Sequence, residues 1–181
     1  MSPNAKPWQK TAQAGPDTGV AMYKPEVATN IIKAAKRPVL VIGAMSLKWK
    51  LGDEPYIALL IRLAKAANLP IIATAHSNKY ISDNKITDVN VVVMPLVNLT
   101  NRLEDDREWD GITGEGKPDL LIFAGITTYY VSQMLSSIKN FTDNTQTMTI
   151  DAEYQPNARF SLGNVNKREW KEFIEGIIEK F

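Results

Sequence analysis

A chain of 181 residues with no Cys and a single His has the length of one globular domain, and it excludes disulfides, Cys-ligated zinc, protein-held iron–sulfur clusters and multi-His metal sites. Twenty-one Lys and Arg against 20 Asp and Glu leave a net charge of +1, so no bulk field draws the protein to nucleic acid or to an acidic membrane. The 44% apolar content supports a core without staples, no apolar run approaches the roughly 18 residues of a membrane span, and Met1 to Lys10 lacks a leader pattern, so a cytoplasmic protein is expected.

Residues 1–24 carry Pro3, Pro7, Gly15, Pro16 and Gly19 with little periodicity, which predicts an extended arm ahead of a single α/β domain over 25–181. Trp8 in that arm reads either as an anchor on a partner or on this domain, or as part of a loose tail. From Pro25, the spacing of Val27, Ile31, Ile32 and Ala35 predicts a short helix. Val39-Leu40-Val41-Ile42 is a continuous apolar run, mostly β-branched, ending at Gly43, as a strand covered on both faces requires. A loop follows, then Asp53 as a helix cap before Ile57, Leu60, Ile61, Ala64 and Ala67.

Pro70-Ile71-Ile72-Ala73 repeats the strand signal, and the polar stretch from Thr74 to Asn84 reads as its functional loop. Val89 to Met94 with Leu96, Leu99 and Leu103 predicts either a strand followed by a helix or one longer helix. Asp119 to Ala124 is a strand ending at Gly125, with Val131, Met134, Leu135 and Ile138 tracing the next helix. Gln146 to Asp151 forms a strand with an acidic end, and a turn or short strand lies near Ala158 to Leu162. Asn166 and Glu169 have capping-box spacing before a helix faced by Trp170, Phe173, Ile174, Ile177, Ile178 and Phe181. This alternation implies a three-layer, doubly wound parallel sheet of nucleotide-binding type.

Gly111 to Lys117 satisfies the letters of a phosphate loop, but Pro118 replaces the magnesium-binding hydroxyl and the segment precedes a strand instead of following one. The acidic run Glu104-Asp105-Asp106-Arg107-Glu108 reads as a solvated loop, with a cation or basic partner as the alternative. The better site candidates end the buried strands, since ligands of open α/β sheets lie outside the carboxyl ends at a topological switch. Gly43, Ala44, Met45 and Ser46 on one side and Gly125, Ile126, Thr127 and Thr128 on the other offer backbone N–H groups and hydroxyls for a phosphate or nucleotide. Tight strand-to-helix turns also take Gly for backbone reasons alone. Thr74 and His76 follow the second strand onto the same rim; His76 is a general base or a plain surface histidine. Asp151 suits a ribose hydroxyl or the cap of the next turn. Tyr129, Tyr130, Trp49 and Trp109 suit an interface or a core.

Pro7-Trp8, Lys36-Arg37-Pro38-Val39-Leu40-Val41-Ile42-Gly43, the segment Asp119 to Tyr130 with its Gly-Ile-Thr-Thr-Tyr-Tyr ending, and Tyr154-Gln155-Pro156-Asn157-Ala158 together resemble the epsilon subunits of archaeal acetyl-CoA decarbonylase/synthase complexes over nearly the whole chain. The resemblance implies an accessory partner of the nickel–iron carbon monoxide dehydrogenase alpha subunit, two alpha with two epsilon chains inside a larger complex, with all metals on alpha. It further implies a fold similar to the central domain of thiamine diphosphate enzymes, which in some relatives carries FAD, and hence a role in stabilising alpha or in electron transfer to FAD. A complete thiamine enzyme is excluded by size, and a sirtuin-like deacylase by the missing zinc thiolates. The alternative is a stand-alone flavin or nucleotide-binding module.

Overall fold

A computed structural model describes Trp8, Gln9, Ala12 and residues 14–181; the Pro3 and Pro7 readings lie outside these residues. The chain runs through β1 (Val20–Met22), α1 (Pro25–Ala34), β2 (Pro38–Ile42) and a 3₁₀ turn at Ala44–Leu47. A two-stranded hairpin, β3 (Lys50–Leu51) and β4 (Glu54–Pro55), leads into α2 (Tyr56–Ala66), β5 (Ile71–Ala73) and α3 (Ala75–Asp83). Then come β6 (Val91–Val93), α4 (Leu96–Glu104), β7 (Leu120–Ala124), α5 (Thr128–Phe141), β8 (Gln146–Thr149), β9 (Phe160–Leu162) and α6 (Lys167–Ile178).

Seven strands pair in the order β1-β9-β8-β7-β2-β5-β6, all parallel. Alternate strand residues feed two cores, as the period of two demands. Leu40, Ile42, Ile71, Leu120, Ile122 and Met148 face α1, α2, α6 and Ile81 of α3, whereas Val39, Val41, Ile72, Leu121 and Phe123 face Leu96, Leu99 and Leu103 of α4 and Val131, Leu135 and Ile138 of α5. The doubly wound, three-layer expectation therefore holds for the described residues.

From β2 the chain winds outward through β5 and β6, then returns to place β7 on the other side of β2 and winds through β8 to β9, which lies against the earlier edge strand β1. The switch point lies between β2 and β7, whose registers run Pro38 opposite Leu120 to Ile42 opposite Ala124. At the amino end of this pair, the Asp119 carboxylate accepts from the backbone N–H groups of Lys36 and Arg37 at 2.8 and 2.7 Å, pinning the two strand starts together.

Three local expectations are corrected. The polar stretch after β5 folds as helix α3, because Ser77 and Ile81 are buried one turn apart and Ser77 Oγ donates to the Ile42 carbonyl oxygen at 2.8 Å. Asp53 caps no helix: it sits in the β3–β4 turn beside Gly52 (φ +68°), and α2 starts after Pro55 without a side-chain cap. Within the span read as arm, Val20–Met22 forms the edge strand on β9, with Met22 buried. Of the alternatives at 89–103, strand followed by helix is the one adopted.

Candidate functional site

Gly43 and Gly125 meet at the carboxyl rim of the switch point. The Gly43 N–H donates to the Ala124 carbonyl oxygen and the Met45 N–H to that of Gly125, both at 2.9 Å. Ser46 is fully buried and its Oγ donates to the Gly43 carbonyl oxygen at 2.6 Å. Gly125 adopts φ +68°, and a Cβ there would lie 2.7 Å from the Ser46 nitrogen. These glycines serve the close approach of two protein turns.

The N–H groups of the Gly125 turn are also engaged. Gly125 N–H lies 2.9 and 3.0 Å from the two Asp151 carboxylate oxygens, and Ile126 N–H donates to Asp151 Oδ2 at 3.4 Å. Asp151, following β8, thus occupies the place at which a ligand phosphate would meet these amides. A pyrophosphate of FAD does not fit at the Gly125 turn as folded: the Gly125 and Ile126 donors are paired to Asp151 and the glycine gap is filled by Ser46 and Ile126. Thr127 is the N-cap residue of α5 but makes no side-chain cap hydrogen bond. Ala44 and Met45 lie half-buried in the 3₁₀ turn. Thr74 Oγ1 pairs with Ser77 Oγ at 3.1 Å, and His76 stands exposed on the first turn of α3.

Beside Asp151 a cavity of about 210 Å³ opens. Trp49 and Trp170 supply indole surface; Asp151, Glu153, Thr128 and Gln155 supply polar atoms, with Lys167 at the mouth. Trp170 packs edge-on to Trp49 with ring centroids 5.5 Å apart, lies 4.5 Å from Tyr56, and donates its indole N–H to the Ile150 carbonyl oxygen at 2.8 Å. The Thr128 hydroxyl donates to Glu153 Oε2. Gln155 is 2% exposed, and its Oε1 has no hydrogen-bond partner among the described residues.

A profile of the family described as CO dehydrogenase beta subunit/acetyl-CoA synthase epsilon subunit matches residues 2–178. The chain belongs to this family. It is 34% identical over 169 residues to the acetyl-CoA decarbonylase/synthase complex subunit epsilon of Methanothermobacter thermautotrophicus, covering 93% of this chain and 92% of that one. Subunit epsilon 1 of Archaeoglobus fulgidus is 42% identical over 80% of this chain and 74% of its own. The subunit epsilon of Methanothrix soehngenii is 37% identical over 97% of this chain and 90% of its own.

In this epsilon-family chain, burial pushes the Asp151 carboxyl up to about 7, outweighing the Gly125 and Ile126 N–H groups and the Tyr56 hydroxyl that favour its charged form; Glu153 adds to the rise. Burial, and after it the charge of Asp151, raises the Tyr56 hydroxyl well above its ordinary value. No group of three or more His, Cys, Asp and Glu among the described residues could hold a metal ion, and no described helix is long and apolar enough to cross a membrane. The loop at 111–117 precedes β7, and Lys117 Nζ donates to the carbonyl oxygens of Leu103 and Asp105, so its ammonium serves a turn. Asp105 in the acidic run pairs with Arg107 at 2.6 Å.

Of the sequence candidates, the structure brings Gly43, Ala44, Met45, Ser46, Gly125, Ile126 and Asp151 together, with Thr74 hydrogen-bonded by its N–H to Ile42 and His76 exposed on the first turn of α3. Sequence reasoning missed Gln155, Glu153 and Trp170 as site residues. The signal was present in the Tyr154 to Ala158 segment, five consecutive buried residues of which two are amides.

Proposed function

We propose that this chain is a non-catalytic accessory subunit of an acetyl-CoA decarbonylase/synthase complex, binding and stabilising the nickel–iron carbon monoxide dehydrogenase alpha subunit in a two-to-two assembly. Family membership over residues 2–178 carries the reading. It is supported by a chain without Cys, which leaves thiolate-held clusters to another subunit, and by a switch-point rim whose amides are matched to the chain's own groups. Capture from an anaerobic native extract tests it: recovery with a nickel- and iron-rich dehydrogenase chain is expected, and repeated recovery without one overturns it.

Electron transfer to FAD, the second role implied by the resemblance to thiamine-enzyme central domains, requires Asp151 to release Gly125 and Ile126; stabilisation requires no such opening. The cavity beside Asp151 is the one observation favouring a stand-alone flavin or nucleotide-binding module. Titration with FAD, FMN, NAD and ADP separates the readings. A ligand held at about 100 times its Kd adds about 2.7 kcal/mol of stability, and no change in unfolding temperature removes the module reading.

A further inference from the structure

The cavity between α5, α6 and the end of β8 is built around acceptors. Gln155 Nε2 faces the Thr128 carbonyl oxygen at 3.4 Å, which turns Oε1 the other way, and that oxygen is buried without a partner. Its backbone is held firmly, since the Gln155 N–H donates to Ser161 Oγ at 2.9 Å. A buried acceptor left unpaired costs about 1–3 kcal/mol, so the site gains most from an incoming N–H donor.

Charge points the same way. Two helix N-termini open on the cavity and would ordinarily favour an anion, but a carboxylate of this chain already stands at each. Glu153 accepts from Thr128 at the start of α5, and the reciprocal Asn166–Glu169 capping box closes the start of α6. An entering anion would meet Asp151 and Glu153, while the Lys167 charge sits at the exposed mouth. Indole surface from Trp49 and Trp170 suits a flat cation, which is attracted to aromatic faces and forks well onto carboxylates.

We propose that this cavity binds a planar nitrogen cation of the guanidinium or amidinium class, with Gln155 Oε1 and the Glu153 and Asp151 carboxylates as acceptors and the two indoles as walls. The cation belongs either to a free small molecule or to an arginine side chain of a protein partner. The site is a property of this chain alone and does not depend on the subunit assignment.

The test uses the full 181-residue chain, with intrinsic Trp fluorescence as readout and benzamidine, its neutral analogue benzamide and its anionic analogue benzoate as probes. Benzamidine is expected to bind most tightly and benzoate least. Gln155→Leu is expected to weaken benzamidine about tenfold, the loss of one charge-assisted hydrogen bond. Glu153→Gln, at an exposed position that leaves the fold intact, is expected to weaken it about fivefold and decides the matter if the Gln155 variant does not fold. N-acetyl-arginine amide separates the two sources: tighter binding than benzamidine assigns the site to a partner's side chain, weaker binding to a small molecule. Benzoate binding as well as benzamidine, no response to either cation up to about 10 mM, a concentration well above fragment Kd values, or unaltered affinity in Glu153→Gln overturns the proposal.

Discussion

A methyl group on Gly43 would stand 2.9 Å from the carbonyl carbon of Gly125 and closer still to its oxygen. Gly43 has an ordinary backbone (φ −94°), so its requirement for glycine is one of space, whereas Gly125 adds a left-handed conformation (φ +68°) to a collision with Ser46. Gly43→Ala and Gly125→Ala should each cost about 2–4 kcal/mol. Gly114→Ala, at φ +81° with open space around it, should cost only the backbone share of about 1 kcal/mol. Urea unfolding of the three variants checks this; equal losses would mean that the rim is not closely packed.

Asp151 makes stability depend on pH in the direction opposite to a paired surface carboxylate. Its folded value of about 7 lies above the roughly 3.9 of an unfolded Asp, so between these values the folded chain holds a proton that the unfolded chain has released. The contribution is complete below about pH 4 and is lost as pH rises through 7. The full shift corresponds to about 4 kcal/mol; since Asp151 keeps a face on solvent, about half of that is expected. Asp151→Asn should remove this slope, so that the stability difference between variant and parent moves in the variant's favour by about 2 kcal/mol from pH 4 to pH 8. Parallel curves would show that folding leaves the Asp151 carboxyl at its ordinary value.

Trp170 carries both packing and a hydrogen bond. Trp170→Phe keeps most of the ring and loses the donor to the Ile150 carbonyl oxygen, a loss of about 1–2 kcal/mol. Trp170→Ala also empties the space beside Tyr56 and Trp49, for about 3–5 kcal/mol. Denaturation midpoints of the two variants should separate accordingly.

The arm bears on assembly. Asn164 Nδ2 donates to the Trp8 carbonyl oxygen at 2.9 Å, Lys139 Nζ to those of Ala14 and Asp17, and the Tyr154 hydroxyl to that of Gly19 at 2.6 Å, so the described part of the arm is tied to the domain at several points. Trp8 is 65% exposed. Removing residues 1–13 should cost no more than about 1 kcal/mol of stability, the worth of an exposed hydrogen bond, and weaken binding to the dehydrogenase alpha subunit tenfold or more, as the loss of an interfacial Trp does. Unchanged affinity would take the arm out of the interface.

Strands β2 and β7 were legible because each is an uninterrupted apolar run stopped by glycine, the pattern that burial on both faces imposes. The closing helix was legible from its capping box, which forms with Asn166 Oδ1 accepting at 3.0 Å from the Glu169 N–H. Helix α3 was not, because it buries only Ser77 and Ile81, and a serine facing the core gives no hydrophobic period. Strand β1 is three residues long, too short for a pattern. At the site, glycines and Asp151 stand out in sequence, but that Asp151 turns inward to its own loop and that Gln155 is left with an empty acceptor are facts of packing.

Strand β1 at 20–22 has a single neighbour, β9 at 160–162. During synthesis this strand therefore has no strand to pair with until β9 at 160–162 has been made. At roughly 5–20 residues per second it waits about 10–30 s. The edge of the sheet at β1 is therefore among the last parts of the fold to close, and its strand-pairing groups stay unmatched until β9 emerges.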